Sequence, residues 1–224
     1  MNKFYDFLKT KLSIECITEL LAMTSVKILK KGDLIFSESE KCKNIFFIVQ
    51  GNVNLYKDSF DGKRKVIYLL KNNSIFNENI LLDRFERTCT GSIAFTDIKL
   101  LSIPAKKMKE LMFKYPELSF FIIESLSLKN RRLCRQLKNT TTINMDKRVA
   151  SKLIKLSKDY GIDKSPYIGF SFKVTNTYLA EMLGTNRETI YRSLKKLSSL
   201  GHLKYEDGYL FILEDQLTNF FYSK

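Results

Sequence analysis

The stretch VTNTYLAEMLGTNRETIYRSLKKLSSLGHLK, residues 174–204, holds two short amphipathic segments that meet at a glycine. Thr175 can cap a first helix over Asn176 to Leu183, and Thr185 or Asn186 can cap a second helix. Gly184 permits the sharp turn between them, because glycine adopts a left-handed backbone at little cost. The stretch therefore predicts a helix-turn-helix.

The second of these helices has two chemically different faces. Its apolar stripe is expected to point inward and consists of Ile190, Leu194 and Leu197. Arg187, Glu188 and Arg192 fall outside that stripe, near the N-terminal end, which is the end that enters the major groove in a helix-turn-helix. Arginine can donate two hydrogen bonds to guanine, and glutamate can accept one from cytosine. These residues therefore predict base reading.

A structural explanation of the same residues stays open at this point. Thr185-x-x-Glu188 also fits a capping box, and arginines are common on helix surfaces. The following segment GHLKYEDGYLFILED, residues 201–215, predicts two short strands around an Asp207-Gly208 turn, which would form a wing. Helix, turn, charged helix and hairpin together favour sequence-specific DNA binding.

The chain from Val26 to Pro104 is rich in short strand patterns separated by turns. Apolar runs and alternating segments occur at 45–49, 53–55, 66–70 and on both sides of Thr96-Asp97. Strands that recur at roughly eight- to twelve-residue spacing are typical of a small sandwich or jelly-roll barrel. We therefore expect an α+β chain whose N-terminal β jelly-roll precedes helices and a winged helix-turn-helix.

A longer helix is predicted from Pro116 to about Asn139. It carries a stripe with steps of 4, 3, 4, 3 and 4 residues, made of Ser119, Ile123, Leu126, Asn130, Leu133 and Leu137. Such a seam predicts a homodimer, although the stripe could instead pack against its own sandwich, or the helix could do both. The expected domains are 1–115 for the jelly-roll, 116–139 for the dimerisation helix and 140–224 for the winged helix-turn-helix.

The net charge of +14 suits a polyanionic partner but does not locate it. Residues 140–224 carry 13 Lys and Arg against 9 Asp and Glu, while residues 1–139 carry 25 against 15. The larger excess thus lies outside the helix-turn-helix. The sequence contains neither a long apolar run nor a secretory signal pattern, so we expect a cytoplasmic protein without membrane contact.

The residue inventory argues against an enzyme or a metal protein. The four cysteines, at positions 16, 42, 89 and 134, are far apart, and His202 is the sole histidine. We expect the cysteines to be reduced and buried, and we predict no disulfide framework or metal site. Because no paired nucleophile and base and no phosphate-binding glycine loop occur, no catalytic residue is predicted.

The whole pattern resembles the family of the cyclic-AMP receptor protein and the fumarate–nitrate reduction regulator, the CRP/FNR family. The motif Arg187-Glu188-Thr189-Ile190-Tyr191-Arg192 is similar to that of the cyclic-AMP-receptor branch. The resemblance implies that Arg187 and Arg192 read guanines and Glu188 a cytosine in a TGTGA-type half-site. It also implies that Thr175 and Asn186 contact phosphates, and that the partners are double-stranded DNA, a second copy and RNA polymerase.

The resemblance also points to an effector site within the stretch IFNENILLDRFERTCT, residues 75–90. Glu78 matches the family's ribose-binding glutamate, and Arg87-Thr88 matches its phosphate-binding pair. Asn77 stands where the family has glycine. The spacing from Glu78 to Arg87 is one residue shorter than in the cyclic-AMP receptor. The positions that offer hydroxyls to adenine in that receptor are Leu133 and Cys134 here, so cyclic-AMP recognition should be weak.

Several sensor chemistries stay open, and no cofactor is identified from the sequence. Glu78 and Arg87 could simply pair with each other to hold the loop. The iron–sulfur sensors of the family need clustered cysteines, which this chain lacks. Haem held through Cys or Met in a nitrosative-stress regulator, a reactive cysteine, another small ligand or no ligand all stay possible. A different class of function is a nucleotide-binding signalling module that acts through protein contacts.

Overall fold

The computed structural model describes residues 2–82 and 87–223. The chain forms two compact units that meet in sequence between Leu133 and Cys134. Each unit has its own sheet structure and its own buried core.

The described residues of the first unit contain eight strands in two four-stranded antiparallel sheets. Its strands are β1 (Ser25–Leu29), β2 (Leu34–Phe36), β3 (Asn44–Gln50), β4 (Val53–Asp58), β5 (Arg64–Leu70), β6 (Ile75–Phe76), β7 (Gly91–Ala94) and β8 (Ile98–Pro104). The strand orders are β1-β8-β3-β6 and β2-β7-β4-β5. A single turn of 3₁₀-helix, Glu78–Leu81, follows β6. The predicted N-terminal β-sandwich is confirmed.

Aromatic side chains form the centre of one apolar cluster of this unit. The rings of Phe46 and Phe76 stack with centroids 5.2 Å apart, and Phe36 packs on both of them. All three side chains are at most 2% exposed. Stacked aromatic pairs add to the apolar area that they bury, so this trio ties β2, β3 and β6 together.

Two N-terminal helices that the strand analysis did not predict contribute buried residues to another apolar cluster of this unit. They are α1 (Asn2–Lys9) and α2 (Ile14–Ala22), and Ser13 caps α2 by accepting a hydrogen bond from the Cys16 amide. Their buried residues pack with side chains of α3 (Ala105–Lys114) and α4 (Pro116–Thr142). Glu19 of α2 also receives hydrogen bonds from Lys114 and Tyr115.

Helix α4 ends at Thr142, three residues later than predicted, and it divides its apolar residues between two faces. Leu118, Phe121 and Ile122 are buried in the first unit's core. The heptad stripe stays exposed in the single chain, with Ile123 at 58%, Leu126 at 36%, Leu133 at 43% and Leu137 at 68%. The alternative in which this stripe packs against its own sandwich is therefore wrong.

The second unit places a four-stranded sheet, of order β11-β12-β10-β9, beside helices. Its further elements are α5 (Met145–Tyr160), β9 (Gly161–Lys164), β10 (Tyr167–Phe170), α6 (Asn176–Leu183), α7 (Arg187–Ser199), β11 (Leu203–Glu206), β12 (Tyr209–Ile212) and α8 (Glu214–Tyr222). Asp207 and Gly208 turn between β11 and β12 with positive φ angles, as a tight hairpin requires. The predicted winged helix-turn-helix is confirmed.

The four cysteines are free thiols in different surroundings. Cys16 is buried and Cys42 is partly buried, whereas Cys89 and Cys134 are exposed, so the expectation of buried cysteines is wrong for the last two. Among the described residues, no group of three or more His, Cys, Asp and Glu is placed to hold a metal ion. No helix within residues 2–82 and 87–223 is long and apolar enough to cross a membrane.

Candidate DNA-binding surface and sensor site

The caps of α6 and α7 fix the turn of the helix-turn-helix. Thr175 Oγ1 accepts a hydrogen bond from the Tyr178 amide at 3.1 Å, and Asn186 Oδ1 accepts one from the Thr189 amide at 2.8 Å. Gly184 ends α6 with φ at +64°. Asn186 rather than Thr185 is therefore the cap of α7, and the arrangement does not use the capping box that the sequence also permitted.

The two faces of α7 separate as their chemistry predicts. Ile190, Leu194 and Leu197 are at most 2% exposed, and they hold α7 in the core of the second unit. Arg187, Glu188 and Arg192 are exposed within the first two turns of the helix. Arg192 Nη2 lies 3.9 Å from Glu188 Oε1, and both side chains are more than two-thirds exposed. A pair this open gains little from its mutual attraction and stays available to other partners.

Polar contacts hold α6 and α7 against α5. Lys196 Nζ donates to Asp146 at 2.7 Å, and Arg148 Nη2 donates to the Leu183 carbonyl at 2.6 Å. Partial burial raises the pKa of Asp146, but hydrogen bonds from Lys196 and Ser193 outweigh it and hold that pKa below its ordinary value. Helix α7 is thus anchored by an ion pair with Asp146 as well as by its apolar stripe.

A surface cleft of about 490 Å³ lies beside α7. It is lined by Asn176, Tyr191, Leu194, Lys195, Ser198, Ser199 and Tyr205. Residues of α6, α7 and the first wing strand thus contribute to one concave surface with a cation and several hydrogen-bonding groups. Such donors suit contacts to a phosphate backbone.

In the first unit, Glu78 is a buried carboxylate that the chain itself neutralises. The side chain is 2% exposed and forms an ion pair with Lys129 of α4, and Ser125 Oγ donates to its Oε1 at 3.1 Å. Lys129 also donates to the Ile75 carbonyl at 2.7 Å. Burial lowers the pKa of Lys129, while the charge of Glu78 opposes this change. The structure thus gives Glu78 and Arg87 different partners, and they do not pair with each other as the loop-holding alternative required.

Arg87 and Thr88 take different positions beside the same loop region. Arg87 is exposed and donates from Nη1 to the Ser39 carbonyl at 2.7 Å. Thr88 is 3% exposed, and its hydroxyl donates to the Ser37 carbonyl at 2.6 Å while accepting from the Glu40 amide. Arg87 thus keeps the exposure that a phosphate-binding group needs, whereas the hydroxyl of Thr88 is occupied.

Asn77 shows how the chain does without the family's glycine. Its backbone is left-handed, with φ at +65°, a conformation that asparagine tolerates better than most residues. Its side chain donates from Nδ2 to the Asn44 carbonyl at 2.8 Å and is buried. The two residues expected to face an adenine, Leu133 and Cys134, are both exposed and supply no hydroxyl.

Sequence analysis missed three residues that complete the surroundings of Glu78, namely Ser125, Lys129 and Tyr68. Tyr68 Oη donates to the Lys129 carbonyl at 2.8 Å. A signal for two of them was present: Phe121, Ser125 and Lys129 recur every four residues, so a lysine continues a stripe that begins in the core. A lysine on an inward stripe predicts a buried acidic partner.

An N-terminal β-sandwich, a long helix with an exposed heptad stripe and a C-terminal winged helix-turn-helix define a class of DNA-binding transcription regulator. Residues 26–115 match the family model described as the cyclic nucleotide-binding domain, and residues 147–216 match the Crp-like helix-turn-helix domain. Together these ranges span most of the chain. The chain belongs to the CRP/FNR family of transcription regulators.

Comparison with individual proteins gives the same family. The chain is 27% identical over 177 residues to the global nitrogen regulator of Synechococcus elongatus, covering 77% of this chain and 78% of that protein. It is 21% identical over 186 residues to a CRP-like cAMP-activated global transcriptional regulator of Mycobacterium tuberculosis, with 83% of each chain covered. Both relatives are regulators, in agreement with the prediction that the chain is not an enzyme.

A solved structure of the c-di-GMP responsive global regulator CLP of Xanthomonas campestris has the same fold. The TM-score is 0.79 at 18% identity, and the match covers 89% of this chain and 99% of that chain. Because the identity is low, this likeness concerns the fold alone. The names of these proteins mention cAMP and c-di-GMP, and these ligands are not thereby assigned to the present chain.

Proposed function

We propose that the protein is a cytoplasmic, homodimeric transcription regulator that reads a palindromic TGTGA-like site and responds to a signal at its N-terminal sensor domain. The observation that carries the proposal is the exposed trio Arg187, Glu188 and Arg192 on the first two turns of α7. These residues present both the donors that guanine accepts and the acceptor that cytosine N4 needs.

The presence of Glu188 distinguishes base reading from simple electrostatic attraction to the DNA backbone. A carboxylate in contact with phosphates is repelled, so a surface that only bound DNA backbone would be better served by a neutral or basic residue. The glutamate side chain is 78% exposed, and its contact to Arg192 is a long one of 3.9 Å. Its presence at the second position of α7 is explained if it accepts a hydrogen bond from a cytosine in the major groove.

Thr175 and Asn186 support the same orientation on DNA. Each caps its helix as a hydrogen-bond acceptor, so the hydroxyl hydrogen of Thr175 and the Nδ2 hydrogens of Asn186 can still be donated. Helix N-termini favour anions, because their first amides are unsatisfied and their dipole end is positive. We assign both residues to phosphate contacts on either side of the base-reading trio.

The exposed α4 stripe supports homodimerisation. Ile123, Leu126, Leu133 and Leu137 remain open to solvent in the single chain, with Asn130 among them as a polar position that would select one register. A two-fold dimer would present two copies of α7 to successive major grooves and therefore requires a palindromic site. Regulation then proceeds through RNA polymerase at promoters that carry such sites.

The sensor arrangement disfavours cyclic AMP as the effector. Glu78 is occupied by Lys129 and Ser125, and the adenine-facing positions are Leu133 and Cys134, which lack hydroxyls. The effector class is therefore not assigned from the family motif. A signalling module that works through protein contacts alone would not need the Arg-Glu-Arg surface, and this surface favours the DNA-binding function.

Fluorescence anisotropy with a labelled TGTGA-N6-TCACA duplex tests the proposal. A scrambled duplex of the same composition, at the same moderate salt concentration, controls for the non-specific attraction of a basic protein. We expect tight binding to the palindrome and at least about a thousand-fold weaker binding to the scrambled duplex, as is typical of specific regulators. Equal binding to both duplexes would remove the proposal of base reading.

A further inference from the structure

The first unit contains a cleft of about 420 Å³ that the family motif does not describe. It lies between α4, the end of α1 and the turn from β5 to β6 at residues 71–74. Its apolar part includes Phe7, Phe121 and Leu128, and the rings of the two phenylalanines meet edge to face with centroids 6.1 Å apart. Clefts of this size with an aromatic wall and a few polar groups are typical of small-molecule sites.

The charged residues that line this cleft are mainly cations. They are Lys11, Lys71, Lys129 and Arg132, against the single carboxylate of Glu124. Lys11 forms an ion pair with Glu124 at 2.8 Å, and Lys129 forms its pair with Glu78 at the edge of the cleft. The residues that line the cleft therefore carry a net positive charge around its apolar surface.

Mutual repulsion among these cations adds to the attraction for an anion. Burial is the main cause that lowers the pKa of Lys129, and the nearby positive charge of Arg132 lowers it further. An anion placed between the two groups would relieve this repulsion. The interaction would be strong for its size, because one of the two cations is largely removed from water.

The cleft and the heptad stripe lie on opposite sides of α4. Phe121, Ser125, Leu128 and Arg132 each follow a stripe residue by two positions, namely Ser119, Ile123, Leu126 and Asn130. Two residues correspond to roughly 200° around an α-helix. A ligand in the cleft therefore leaves the proposed dimer seam uncovered, while it contacts the helix that carries this seam.

We propose that this cleft binds a small organic anion, with a carboxylate or phosphate group held by Lys71, Lys129 and Arg132 and an apolar body against Phe7, Phe121 and Leu128. Lys129 then connects the site to Glu78, which begins the 3₁₀ turn after β6. Binding in the cleft would therefore affect both α4 and the 3₁₀ turn that begins at Glu78. The inference does not rest on DNA recognition, and its test contains no DNA.

Equilibrium dialysis of the full-length chain against 1-naphthoate tests the inference. The neutral analogue 1-naphthalenemethanol has the same ring system and serves as the chemical control. We expect a Kd of about 1 mM or tighter for the anion, which suits a ligand of this size. The neutral analogue should bind at least about ten-fold more weakly, because it lacks the charge-assisted hydrogen bonds.

Two exposed aliphatic residues, Leu128 and Ile14, provide matched variants. Leu128→Glu places a carboxylate on the rim of the cleft, whereas Ile14→Glu places one on α2 outside it, and the native side chains are 57% and 60% exposed. We expect Leu128→Glu to weaken naphthoate binding about ten-fold and Ile14→Glu to leave it unchanged. Equal binding of the anion and its neutral analogue, or unchanged binding in a folded Leu128→Glu variant, would overturn the proposal.

Discussion

Lys129 neutralises Glu78 across the interior of the first unit, joining α4 to the one-turn helix after β6. The carboxylate is 2% exposed and the lysine side chain 15% exposed, so neither charge has much access to water. The Ser125 hydroxyl donates a further hydrogen bond to Glu78, and Lys129 donates one to the Ile75 carbonyl. Lys129 of α4 therefore supplies the counter-charge for the carboxylate that begins the 3₁₀ turn after β6.

Removal of the lysine alone should destabilise the protein. Lys129→Met keeps most of the side-chain volume but leaves the Glu78 carboxylate buried without a counter-charge, at an expected cost of about 3 kcal/mol or more in the free energy of unfolding. Urea denaturation measures this loss. The matched double variant, Lys129→Met with Glu78→Gln, should recover most of it, and a double variant as unstable as the single one would contradict the account.

Base contacts and phosphate contacts can be distinguished because only the loss of a base contact depends on the DNA sequence. Arg187→Ala or Arg192→Ala should weaken binding to the palindrome by about 1–3 kcal/mol and relax the preference at one base pair. Lys195→Ala, an exposed position on the same helix, should weaken binding about equally on all duplexes. Anisotropy titrations on single-base variants of the site distinguish the two patterns, and a uniform loss for both arginines would contradict base reading.

The two faces of α4 give a matched test of the dimer seam. Ile123→Glu with Leu126→Glu should convert the protein from a dimer to a monomer of 26.2 kDa, because charges would lie within the predicted seam. Light scattering after size exclusion measures the mass. Leu128→Glu, on the opposite side of the helix, should remain a dimer; if both variants gave the same mass, the seam would be misplaced.

The contact between Asp146 and Lys196 should contribute stability that depends on pH. The folded protein holds the pKa of Asp146 below its ordinary value of 3.8, so the contact stabilises the fold above that pH. This contribution is lost as the pH falls through 3.8 toward the lowered pKa. Asp146→Asn should therefore reduce the free energy of unfolding by about 1 kcal/mol or less at pH 7.

The same variant should differ little from the natural protein below the lowered pKa, where both side chains are uncharged. Lys196→Gln removes the partner and should reproduce the loss at pH 7. Urea denaturation at several pH values measures these differences. A loss that stayed constant from neutral to acid pH would show that the substitution acts through packing and not through the ionic contact.

Local patterns were sufficient to predict the helix-turn-helix, because its signals lie within a few residues of one another. The cap at Asn186, the turn at Gly184 and the stripe through Ile190 and Leu194 are all encoded within residues 174–204. The strand patterns were also local, since the apolar runs at 53–55 and 66–70 mark β4 and β5.

The parts that sequence could not supply depend on long-range contacts. Lys129 lies 51 residues beyond Glu78, and nothing local to either residue pairs them. Helices α1 and α2 gain their stability from packing on α3 and α4, so their short amphipathic segments gave no strong pattern. The exposure of Cys89 and Cys134 also follows from tertiary placement, against the general tendency of cysteine to be buried.

Selection of bound sequences from a random duplex library tests the central claim most directly, because it assumes neither the half-site nor the symmetry. We predict enrichment of a palindrome with TGTGA and TCACA arms whose centres lie about one helical turn apart. A parallel selection with the Arg187→Ala variant should show no preference at one G·C base pair, at the same position in both arms. Enrichment of no motif, or of a single arm without its symmetry mate, would contradict a homodimer that reads bases through α7.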